Sequence, residues 1–481
     1  MRLSHLLVVL LLFWLSPIAL SQQAGSPVNQ GQAIQRLAEK PVTFLSDTDP
    51  AYAYLETIQK LAFARDPKAF RWTNDEKQKQ TLLTLLAELD RMDTDAASSK
   101  AENSYTSLYN NFMAVLNRPV PTRYEEPNSL AILEGIVRQL EGTTGSTVPQ
   151  PVKPRFGTLP TGSLNARTVL VPDSSLRLVV VNSALFPFCY EYLKIGLKTV
   201  TFRNDGENLI MDYGDQTFEH DARHNKDLMV RLSKLFEDLG NLRSVRGQER
   251  PSAPEVPLLL RMVNAMEFFF VAHEYGHIAL GHLSSQKDVI QLSGLNNQGL
   301  TVLRRSWGQE AAADLYAFSL LDKYLSSEVA KDEVRHADVD LRQFLRLAPL
   351  FFFVFNSDAE EMQYIFTHKA APPTLSDNDK RIVVSYLQSA LSDETKSAGG
   401  SIGKEQSTRG YDSTVMETLK SDHPPAFARL ALMQRYLQDH SGPKGNPTDL
   451  AFRDLGLAVL AHIQTMESDL KPMWISIIHR N

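Results

Sequence analysis

Cysteine is all but absent: the 481-residue chain has one, Cys189. A single thiol excludes an intramolecular disulfide and any zinc site built from cysteines. It lies in the apolar stretch LFPFCYEYL, which predicts a packed, inert side chain. Basic excess is missing too: the formal net charge is -6, and nothing points to nucleic acid as a partner. Beyond the N-terminus, membrane-length apolar runs are lacking. Pro349 to Phe355 (PLFFFVF) is too short, and 257–283 is interrupted by Arg261, Asn264, Glu267 and histidines. Both predict buried helices or helix–strand pieces, with the phenylalanines at 351–353 in a core. No repeat of fixed period is visible.

What is present begins with an export signal. Arg2 gives a positive start, Leu6 to Leu15 is unbroken and apolar, Pro17 ends the helix, and Ala19-Leu20-Ser21 offers small residues for cleavage. The run falls short of the roughly 20 residues a spanning helix needs. The expectation is therefore a signal peptide over 1–21, cleaved near Ser21/Gln22, and an exported chain, periplasmic or secreted. No cysteine stands at the cleavage site to carry a lipid. Without disulfides such a chain depends on its core alone, which this length permits.

Composition and periodicity divide the rest. Residues 22–141 read as a helical N-terminal region: YLETIQKLAFA, QTLLTLLAELDRM, YTSLYNNFMAVL and SLAILEGIVRQL repeat apolar residues at helical spacing. Residues 142–165 are rich in Gly, Ser, Thr and Pro and predict a linker. From 166 to 481 comes the chemistry-bearing domain. It opens with short strands at 168–171, 176–182, 198–204 and 208–213, followed by helices after Pro257, from Ser306 to Leu325, and near 424–438 and 448–467. Residues 391–421 begin as a loop. The fold class expected is α+β, predominantly helical.

The central pattern is His273-Glu274-Tyr275-Gly276-His277, inside EFFFVAHEYGHIALGHL. Histidines one turn apart project from one helix face and can bind one metal. Glu274, angled to the side of the pair, is placed to take a proton from an activated water. Small Gly276 would leave room near the metal. Downstream, WGQEAAADLYAF puts Glu310 and Asp314 one turn apart on a second helix. Glu310 would complete a His₂Glu ligand set, and Asp314 would orient a ligating histidine through its ring N–H. Three protein ligands leave a position for water, whereas structural zinc sites are closed by four. His282 faces differently from His277 and reads as a helix-end histidine meeting terminal carbonyls. His220 and His224 form a second pair in polar flanks, without a third ligand, and read as surface.

Three segments resemble the gluzincin metallopeptidases, within them the family of the HtpX-type heat-shock protease and the CAAX prenyl endopeptidase. They are VAHEYGHIALGH at 271–282, QEAAADLYA at 309–317 and SDHPPAFARL at 421–430. LVVVNSAL at 178–185 is more weakly similar to that family's substrate-binding edge strand. The resemblance covers roughly 175–440 and lacks the family's multiple membrane spans, so it implies a soluble exported relative. It also implies a zincin-like domain with a small sheet beside the metal helix, and one Zn²⁺ held by His273, His277 and Glu310. Glu274 would be the general base, His423 would approach the oxyanion, and Arg429 would tie its segment to the active-site helices. The activity implied is zinc-dependent endopeptidase cleavage of protein or peptide substrates in the cell envelope, in protein quality control, with peripheral association to membrane or envelope proteins. The alternative is an exported binding or chaperone-like protein that retains a zinc site.

Overall fold

The computed structural model describes residues 43–65, 119–144, 154–161, 164–197, 202–205, 208–211, 255–282, 287–291, 299–303, 306–331, 344–368, 375–397 and 424–440, with a few positions in 230–238 and Arg342. In chain order the elements are α1 (Pro50–Arg65), α2 (Pro127–Thr144), β1 (Arg155–Leu159), β2 (Ala166–Leu170), β3 (Arg177–Asn182), α3 (Leu185–Leu197), β4 (Phe202–Asp205), β5 (Asn208–Met211), α4 (Glu255–Ala279), β6 (Lys287–Gln291), β7 (Gly299–Leu303), α5 (Trp307–Lys331), α6 (Ala348–His368), α7 (Asp377–Ser397) and α8 (Ala426–His440). The described residues are thus mostly helical, with a small mixed sheet. None of their helices is long and apolar enough to cross a membrane.

Local chemistry sets several of these boundaries. Helices α1 and α2 open on prolines, whose missing N–H is no loss in the first turn. Asp49 Oδ1 accepts from the Ala51 N–H at 2.9 Å, and Glu126 Oε2 from the Ser129 N–H at 2.7 Å, capping those starts. Helix α5 begins on a reciprocal pair. The Gln309 N–H donates to Ser306 Oγ at 3.2 Å, and the Ser306 N–H to Gln309 Oε1 at 3.1 Å. Ser376 and Asp379 do the same for α7.

Strand order in the main sheet is β1-β3-β2-β7-β6, with β1–β3 parallel and the other pairs antiparallel; β4 and β5 form a separate hairpin. Strand β3 is apolar from Leu178 to Val181 because both of its faces are covered there. Leu178 and Val180 join Leu55 and Ile58 of α1, while Val179 and Val181 join the core around α3 and α4. That larger core is aromatic. Phe269 meets Phe353 edge-on at 5.6 Å between centroids, and Phe270 lies 5.7 Å from Phe352. The phenylalanines at 351–353 are therefore core, on α6.

Three readings change here. The expected linker over 142–165 does not separate two cores. Gly142 to Thr144 end α2, Arg155–Leu159 is strand β1, and α1 and α2 pack on the sheet and on α4. Strand β3 is not an edge strand, since β1 and β2 pair with its two sides and leave no backbone for an added peptide. Helix α7 runs on to Ser397, into the expected loop. The signal segment, the helices expected around 80–92, 105–116 and 448–467, and His220 and His224 lie outside the described residues.

Candidate metal centre

Helices α4 and α5 build the site. Helix α4 is apolar on nearly every side, so it is buried all round, and its polar groups are confined to a few positions. His273 and His277, one turn apart, turn their rings to one point, with Nε2 atoms 3.1 Å apart. Glu310 enters from the first full turn of α5. Its Oε2 lies 3.4 Å from His273 Nε2 and its Oε1 3.4 Å from His277 Nε2. Three ligand groups thus form a triangle with sides of 3.1 to 3.4 Å.

This triangle fits a metal ion. Around a tetrahedral zinc with bonds of about 2.0–2.2 Å, ligand atoms sit roughly 3.3–3.5 Å from one another. Lone pairs on four converging nitrogen and oxygen atoms need a cation between them, either protons or a metal. His273, Glu274 and His277 also lie together, with ligand atoms within 4.8 Å, and all three are buried. Glu274 is set further back, its Oε1 3.9 Å from His273 Nε2. The position suits a cation for a further reason. The C-terminal end of α4 carries the negative end of its helix dipole, and His277 stands in its last turn.

Behind the ligands each ring is held. Asp314 Oδ1 is 2.8 Å from His273 Nδ1. Arg429, on α8, donates through Nε to Asp314 Oδ2 at 2.8 Å and through NH2 to Oδ1 at 2.5 Å, and lies over the Phe353 ring at 4.7 Å. Burial pulls the His273 imidazole down, but the charge and hydrogen bond of Asp314, with Glu310, carry it up to about 9. Burial likewise raises Asp314, and Arg429 and His273 outweigh it, so its carboxyl stays below the ordinary range. The negative charge that raises His273 also favours a cation at this point, and a metal bound there would take the place of that proton.

Glu274 is tied to the sheet. Thr168 Oγ1, on β2, lies 2.8 Å from Glu274 Oε2 and 3.0 Å from the Glu274 carbonyl oxygen. Strand alternation puts Thr168 toward α4 and Val169 toward α1. The sheet beside the metal helix is therefore a wall of the site. Sequence reading passed over Thr168; its one signal was a polar residue at the head of the apolar run Val169 to Val171.

Two roles read from the sequence are corrected. Gly276 does not make room for a metal: a Cβ there would meet Tyr316 Cδ1 at 3.1 Å and the Ala313 carbonyl oxygen at 3.4 Å. It makes room for α5, bringing Glu310 within reach of the histidines. The side chain of His282 does more than end a helix. It is buried, and its Nδ1 lies 3.0 Å from His277 Nδ1.

The structure brings His273, Glu274, His277, Glu310, Asp314 and Arg429 together, while His423 lies outside the described residues. Comparison with protein-family models, with curated proteins and with solved structures returned no match.

Proposed function

We propose that this chain is a zinc-dependent endopeptidase of the gluzincin type. The carrying observation is the triangle of His273, His277 and Glu310, with Glu274 set back at its side. Zinc, when bound, would supply Lewis acidity, polarising a carbonyl and making water acidic enough to attack near neutral pH. Glu274 accepts the proton of the attacking water and returns it to the leaving amine. Thr168 fixes one of its oxygens and leaves the other for this exchange. Three ligands leave a position for substrate, which favours an enzyme over a protein with a structural zinc.

In this reading His423, six residues before Arg429, donates to the oxyanion, and the Arg429–Asp314 pair fastens the helix that follows it. The N-terminal signal pattern supports the cell envelope as the site of the activity, with protein quality control as the proposed setting. The test is casein cleavage by the full chain, with chelator and after zinc is restored. Cleavage lost and regained with zinc supports the proposal. A chain that binds zinc and never cleaves is the exported binding or chaperone-like protein instead.

A further inference from the structure

The two histidines of the proposed centre are held by different chemistry. His273 Nδ1 faces a carboxylate, Asp314, at 2.8 Å. His277 Nδ1 faces another imidazole, His282, at 3.0 Å, with both rings buried. The way α4 ends puts His282 there. The His282 N–H donates to the His277 carbonyl oxygen at 2.9 Å and the Gly281 N–H to the Ile278 carbonyl oxygen at 3.2 Å, with Gly281 at φ 69°. These are the two bonds of a Schellman ending, with glycine in the left-handed position. The residue after that glycine folds back over the last turn, so five residues of separation still bring His282 onto His277. A straight helix would have sent it to another face.

We infer that His282 is the positioning residue for His277, fixing the tautomer that presents Nε2 to the metal. The inference rests on the proposed metal centre. A metal on His277 Nε2 leaves the proton on Nδ1, where it must be donated. The facing His282 Nδ1 accepts it, which puts the His282 proton on Nε2. Partners of this kind set ring orientation and ligand basicity. A neutral acceptor at His277 and a carboxylate at His273 make the two ligands unequal. His273 would be the more basic donor, and an ion bound at the centre would have less compensating negative charge than two carboxylate partners would give it.

The test is zinc affinity of the full chain by chelator competition, which needs no turnover. Three variants accompany the wild type. His282→Leu removes the acceptor, His282→Asn keeps an acceptor oxygen near the Nδ1 position, and Gly281→Ala strains the φ 69° turn that delivers the ring. His282→Leu weakens zinc binding about 10- to 100-fold, the range for residues that orient metal ligands, and His282→Asn recovers most of it. Gly281→Ala also weakens binding, but adds little on top of His282→Leu, because both act through one contact. Equal zinc affinity in wild type and His282→Leu overturns this inference and leaves the proposed centre standing. A His282→Asn chain as weak as His282→Leu overturns it too, since the acceptor would not matter. Wild-type protein that takes up no zinc overturns the inference together with the function it rests on.

Discussion

Asp314 is the residue that joins His273 of the candidate centre to α8. It is fully enclosed and shared between His273 and Arg429, and its negative charge serves both. Its loss takes from the half-buried Arg429 guanidinium its ion-pair partner and frees the His273 ring. Asp314→Ala should lower zinc affinity about 10- to 100-fold, while Glu310→Ala, which removes a ligand, should lower it much further; metal analysis after dialysis separates the two. Thr168 acts on the other side. Thr168→Val keeps the branched shape and removes the hydroxyl, so Glu274 loses its hold on the sheet. Full zinc content, near-normal KM and a kcat reduced about tenfold or more are expected, with Thr168→Ser close to wild type. Equal kcat in Thr168→Val would show that the hydroxyl bonds only the Glu274 carbonyl. The grouped residues His273, His277, Glu310 and Asp314 were legible in the sequence because each pair stands one turn apart on its own helix. Thr168 and His282 were not, because one arrives across a sheet and the other through a left-handed turn.

Among elements, the crossing of α4 and α5 decides whether a site exists. Gly276 sets the closeness of that crossing, since its missing side chain faces Tyr316 and Ala313. Gly276→Val should push α5 away from the histidines, destabilise the protein by about 1–3 kcal/mol as overpacking does, and lower zinc affinity. Denaturant unfolding with and without zinc measures both effects. A second junction joins α1, the segment before α2, and β1. Glu125 there accepts from the Thr158 N–H at 3.2 and 3.1 Å, from the Thr158 hydroxyl, and from Gln59 Nε2 at 3.1 Å. Burial raises its carboxyl to about 7 against these bonds. The folded state therefore binds this proton more tightly than the unfolded chain, whose value is near 4.5. The stability it gives is complete below about pH 4.5 and is lost as pH rises through about 7. Glu125→Gln, uncharged at every pH, should be more stable than wild type at pH 8, by up to about 3 kcal/mol, and nearly equal at pH 4.5. A difference that does not grow with pH would remove Glu125 as the cause.

At the scale of the whole molecule, the helix-rich plan and the first strands could be read in advance. Their apolar periods are strong: β2 and β3 begin within two residues of the segments TVLV and LRLVVVN. Long-range assembly could not. Strand β1 hides in a Gly- and Pro-rich stretch because its burial comes from α1 and Glu125, both distant in sequence. The placing of β3 between β1 and β2 is a matter of strand order, which residue pattern does not encode. The N-terminal helices belong to the fold of the site for the same reason: α1 covers one face of the sheet whose other face carries Thr168 to Glu274.

In the proposed mechanism Glu274 moves protons beside a metal that it does not itself hold. The direct measurement is zinc content and casein turnover on one preparation of Glu274→Gln, compared with wild type. The substitution keeps shape and removes basicity. The account predicts one zinc per chain in both proteins and cleavage by wild type alone. Cleavage by zinc-loaded Glu274→Gln at the wild-type rate would contradict it.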